Sequence, residues 1–84
     1  MAFQSKYIII IIDGIKTPIV FADTAIHYDI ATALGGKGQV VGAGFCVVDE
    51  DGYRCYGEST SLQIKSNNEL DSKLLNLMLG VIVT

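Results

Sequence analysis

The sequence predicts an α+β domain in which two β-hairpins alternate with two helices, ββαββα. Five consecutive isoleucines, Ile8 to Ile12, run into Asp13-Gly14, and a second apolar run follows from Ile15 to Phe21. Apolar residues recur twice at helical spacing, from Ile26 to Leu34 and from Leu70 to Met78. An Asp-Glu-Asp-Gly turn at 49–52 separates two further strand-like runs. β-Branched residues favour strands, and Asp-Gly between two such runs is a strong hairpin signal.

Met1 to Lys6 reads as a short polar lead-in to the first hairpin. With Asp13 and Gly14 as turn residues, Ile12 faces Ile15, Ile10 faces Thr17 and Ile8 faces Ile19. Side chains alternate along a strand, so these share one face with Phe21. Tyr7, Ile9, Ile11, Lys16, Pro18 and Val20 share the other. Pro18 cannot donate a ladder hydrogen bond, which makes the second strand an edge and the first an interior strand.

Asp23 or Thr24 is the expected N-cap of the first helix, and Ile26, Ile30, Ala33 and Leu34 form its apolar face. Gly35 supplies a C-cap and Gly36-Lys37-Gly38 a flexible link. Val40 to Val48 is a third strand, in which Gly42 and Gly44 suggest a bulge or a close approach. Tyr53 to Gly57 is a fourth. Glu58 to Lys65 reads as a connection with a short extended piece at Leu62 to Ile64. Ser66 and Glu69 match a capping box for the second helix. Leu70, Leu74, Leu77 and Met78 form its apolar stripe, Gly80 closes it, and Val81 to Val83 is an apolar extended tail or short strand.

Short connections and an interior first strand give a sheet order of 2-1-3-4. Each helix carries one apolar stripe, so both are expected on one face of the sheet. One helix on each face would need a different crossover. The expected open face would carry Tyr7, Ile9, Ile11 and Val20, joined by Phe45, Val47 and Tyr56. Such a patch is large for a monomer and predicts a homodimer or a bound target through the sheet face.

The 84 residues make one domain, 1–84, and half of them are hydrophobic, a surplus that also points to a buried interface. Six scattered Lys and Arg residues and a net charge of −3 provide no footprint for nucleic acid. No apolar run reaches the roughly 20 residues of a spanning helix, so no membrane association is expected. Asp13-Gly14 interrupts the N-terminal apolar run too early for a secretory signal. Two cysteines without Cys-x-x-Cys spacing fit reduced thiols, and cytoplasmic residence is the expectation.

Catalytic signals are sparse. The glycines at 36–38 and 42–44 end a helix and enter a strand, the reverse of a phosphate loop. His27 is the single histidine, and its pairing with Cys46 or Cys55 is the enzyme or ligand-binding alternative. Neither has an orienting motif. Asp49, Glu50 and Asp51 offer too few ligands at defined spacing for a hard cation, and read as a solvated acidic tip that could meet a basic partner. Glu58, Ser59, Thr60 and Ser61 lack a nucleophile elbow and read as an exposed contact loop. No metal or cofactor is expected.

Tyr7-Ile-Ile-Ile-Ile-Ile-Asp-Gly, Gly-Glu-Ser-Thr-Ser-Leu at 57–62 and Glu-Leu-Asp-Ser-Lys-Leu-Leu-Asn-Leu-Met-Leu-Gly at 69–80 resemble segments of small phage or prophage-encoded proteins. The resemblance implies a host-directed binder and assigns no activity to any residue. The functional expectation is a non-enzymatic protein that binds its own copy and a host protein, the latter through Asp49–Asp51 or the 58–65 loop at Glu58, Ser59, Thr60 and Ser61. A virion structural part is the further alternative.

Overall fold

A computed structural model describes residues 3–36 and 39–80. The chain forms β1 (Phe3–Ile12), β2 (Ile15–Ala22), α1 (His27–Ala33), β3 (Val40–Asp49), β4 (Gly52–Tyr56), β5 (Glu58–Ser59), β6 (Ile64–Lys65) and α2 (Asn68–Met78). The main sheet is antiparallel with the order β2-β1-β3-β4, and β5 and β6 form a separate small hairpin. The expected strand order and α+β class hold. Lys37 and Gly38 of the glycine link, and the Val81–Val83 segment, lie outside the described residues.

The first hairpin has the register expected from its turn: Ile12 opposite Ile15, Ile10 opposite Thr17 and Ile8 opposite Ile19. Asp13 and Gly14 both take positive φ, 52° and 77°, as a two-residue turn that follows the strand twist requires. β1 starts earlier than expected. Residues 3–6, read as a polar lead-in, pair with Val48 to Phe45 of the long β3.

The helices occupy opposite faces of the sheet, which corrects the expectation of two helices on one face. Ile8 and Ile10 pack with Ala31 of α1, Val40 and Ala43, and Leu62 and Ile64 of the small hairpin close the same side. Tyr7 and Ile9 pack with Cys46, Cys55 and Leu75 of α2. The cause lies in β1 itself. Four consecutive side chains, Tyr7 to Ile10, are 0–2% exposed, so both faces of this strand need cover. Each such isoleucine contributes about 1.5–3 kcal/mol on burial, and one layer of helices could claim only half of them.

Both helices are also rotated from their expected positions. In α1 the buried residues are His27 and Ala31, whereas Ile26 and Leu34 are 51% and 40% exposed. The helix starts after Ile26, which has no side-chain cap bond, and not at Asp23 or Thr24. In α2 the buried residues are Asp71 and Leu75, whereas Leu70 and Leu77 are 61% and 82% exposed. Polar anchoring decides this rotation. Asn76 Oδ1 accepts the Tyr53 N–H at 2.7 Å and its Nδ2 donates to the Tyr53 carbonyl at 3.0 Å. Ser72 Oγ accepts the Cys55 N–H at 2.8 Å. The free edge of β4 is thereby satisfied by side chains of α2, and Pro18 blunts the opposite edge.

The N-cap falls one residue later than expected, and the carboxylate that answers it two residues later. Asn67, the N-cap, accepts from the Leu70 N–H at 3.3 Å, and Asp71 accepts from the Asn67 N–H at 3.1 Å. Ser66 points instead to Tyr7, which draws α2 onto the sheet.

Candidate functional site

With Leu70 and Leu77 turned outward, a groove of about 370 Å³ remains between α2 and the hairpin half of the sheet. Ile9 and Asp71 lie at its base, and Leu70, Leu74 and Leu77 form the α2 wall. Val41 stands opposite because β3 carries a bulge there. Ile9 pairs with Gly42 and Ile10 with Val40, so Val41 is the extra residue, 54% exposed. Lys16 and Lys73 complete the rim, and Lys73 also meets Glu69 at 3.5 Å in an exposed pair of little energetic weight.

Asp71 anchors the groove. Its Oδ2 accepts from the Tyr7 hydroxyl at 2.5 Å and from the Asn67 N–H at 3.1 Å. The Ser66 hydroxyl, 2.6 Å from the Tyr7 oxygen, donates to it in turn. Burial and donation to Asp71 hold the Tyr7 phenol far above its ordinary value, so it stays protonated and serves as a fixed donor. Gly42 makes room for this carboxylate. A Cβ there would lie 2.9 Å from Asp71 Oδ2.

The residues expected to form one open sheet face are divided. Tyr7 and Ile9 are 0% and 2% exposed beneath α2, Val20 packs at the margin of that core, and Ile11 is half-buried. Phe45 pairs with Lys6 and Tyr56 with Phe45, which puts Phe45, Val47 and Tyr56 on the opposite face beside Ile8. The β1–β3 register, unreadable from the turns of either hairpin, decides this. The seven residues therefore do not form one open face.

The proposed pairing of His27 with a cysteine also fails. Cys46 and Cys55 face each other under α2, while His27 sits on the α1 side between Phe21 and Phe45, with ring centroids 5.5 and 6.1 Å away. Burial pushes the thiols up to about 12 and about 11, which leaves them protonated and poor nucleophiles. His27 Nε2–H donates to the Gly44 carbonyl at 2.8 Å. Burial lowers its pKa below the ordinary 6.5, and the nearby Lys6 charge acts in the same direction. The unfolded chain then binds a proton more readily than the folded one, so stability is retained above about pH 6.5 and lost as pH falls towards the lowered value. Urea midpoints should drop between pH 7.5 and pH 5, and His27→Gln should flatten that dependence. An equal slope in the variant would place the titration elsewhere.

The two expected contact loops are exposed but differ in character. At the acidic tip Asp49 bonds Arg54 at 2.5 Å and accepts the Asp51 N–H at 2.9 Å, which leaves Glu50 and Asp51 in solvent. In the other loop Ser59 is fully buried and accepts the Leu62 N–H at 3.1 Å. Glu58, Thr60 and Ser61 border a second hollow of about 200 Å³ beside His27 and Lys6. There Lys6 Nζ donates to the Ala25 carbonyl at 2.7 Å, and Ser61 accepts the Tyr28 N–H at 3.2 Å. Among the described residues no cluster of three or more metal-ligating side chains occurs.

Comparison with protein-family models, curated proteins and solved structures gives no match to this chain. The groove was missed by sequence reasoning because Leu70, Leu74 and Leu77 match an inward stripe. The available clue was the pair Ser72 and Asn76, polar residues at i and i+4 that bond the β4 edge.

Proposed function

We propose that this chain is a non-enzymatic binding protein that seats a segment of another protein in the groove between α2 and the β1–β2 hairpin. The observation that carries the reading is the outward α2 stripe, in which Leu77 is 82% and Leu70 is 61% exposed beside Val41 at 54%. Grouped apolar exposure of this kind marks contact surfaces, whereas single exposed leucines do not. Charge supports the choice of occupant. The chain carries a net charge of −3, yet Lys16 and Lys73 border the groove. An apolar segment flanked by carboxylates is the complement, and a helix laid beside α2 is the simplest form of it. The resemblance to phage-encoded proteins supports a host factor as the source.

The full chain, immobilised, should capture a partner that Leu77→Asp no longer retains. Ile26→Asp, an exposed substitution on the opposite face, should retain it. Capture insensitive to substitution at both Leu70 and Leu77 rejects the groove. Light scattering on the free chain should give a monomer. A dimer dissociated by Leu77→Asp would make a second copy the occupant instead.

A further inference from the structure

We infer that the groove is built to receive one basic side chain, a lysine or arginine of the bound segment, with its head on Asp71 Oδ1. The inference rests on the groove being the docking site. Asp71 is 8% exposed, and both of its hydrogen bonds to described residues fall on Oδ2. Among the described residues no buried side-chain oxygen or nitrogen lacks a partner. Oδ1, which has none among the described residues, therefore reaches solvent, and the surface that Asp71 lines is the groove.

A carboxylate held nine-tenths buried with one free oxygen is a strong acceptor for a charged donor, because few waters compete there. The route to it is apolar, past Leu70, Leu74 and Val41. Lysine and arginine combine an aliphatic stem with a cationic head, so the stem covers the leucines while the head meets Oδ1. Lys16 and Lys73 at the rim repel additional positive charge. The matching segment thus holds a single basic residue with neutral or acidic neighbours. Tyr7 and the Asn67 amide keep the carboxylate from swinging out to meet Lys16 unaided.

The test uses n-hexylammonium and 1-hexanol as probes of the intact chain, followed by ¹⁵N–¹H NMR. A charged rather than neutral hydrogen bond should make hexylammonium bind about fivefold more tightly than the alcohol. The amide shifts should centre on Gly42, Asn67 and Leu70. Asp71→Asn should remove the difference between the probes. Since that variant can weaken the Tyr7 contact, the comparison within the wild-type chain stands independently of it. Equal affinities, shifts mapping elsewhere, or no binding by either probe at millimolar concentration would overturn the assignment. Equal binding of both probes in the groove would sink the Asp71 role alone, while the Leu77→Asp capture experiment judges the docking site separately.

Discussion

Ile9→Asp should yield no folded protein. Ile9 is 2% exposed, lies opposite Pro18 on one neighbouring strand and Gly42 on the other, and packs into the core that Leu75 closes. The substitution removes about 1.5–3 kcal/mol of apolar burial. It also sets an unpaired carboxylate in an apolar core, which costs several kcal/mol more or forces the side chain into water. Small domains have only about 5–15 kcal/mol in total. Circular dichroism should show the loss of the native signal, with no cooperative urea transition. Had this face been open, the same change would have produced a soluble, folded monomer. A folded Ile9→Asp chain with a near-native midpoint would mean that α2 does not cover the sheet in solution.

Leu75→Ala should lower stability by about 2–5 kcal/mol, as large-to-small changes in a closed core do. Leu75 is 0% exposed and contacts the Tyr7, Ile9 and Cys46 group. Leu77→Ala, two residues on, should change stability by less than about 0.5 kcal/mol because that side chain is 82% exposed. The pair reads the rotation of α2 directly from urea midpoints. Comparable losses at both positions would show that the helix docks through its leucine stripe, and the groove would then have no outer wall. The contrast also separates stability from binding, since Leu77 is the position at which the captured partner should be lost while the fold remains.

Much of the secondary structure can be derived from short-range chemistry. Asp13-Gly14 sets the first hairpin because both residues tolerate positive φ, and the two-residue turn then dictates every pairing from Ile12–Ile15 outwards. Pro18 marks an edge because it has no N–H, and the isoleucine run marks an interior strand because it is apolar on both faces. The glycines at 42 and 44 announce a close approach. At Gly42 it is Asp71 that approaches, and at Gly44 a Cβ would lie 2.5 Å from the Tyr56 carbonyl oxygen.

The candidate site is less legible, and the failures have specific causes. The apolar period of α2 points to Leu70, Leu74 and Leu77, but a helix beside a strand edge also answers to unpaired backbone groups. Two N–H groups and one carbonyl of β4 take Asn76 and Ser72. Leaving such groups unpaired costs about 1–3 kcal/mol each, enough to outweigh the burial of a leucine or two. α1 turns for a related reason, with His27 inward to donate to the Gly44 carbonyl.

By itself the sequence determined the four strands of the main sheet, their order and the first hairpin turn, because those follow from turn chemistry and from apolar patterning along the chain. Only the tertiary structure decided which face each helix covers, the alignment of β1 with β3, and the outward turn of the α2 leucines. Those outcomes depend on hydrogen bonds and contacts between residues far apart in sequence, such as Tyr7 with Asp71 and Tyr53 with Asn76, and no periodicity within a single segment encodes them.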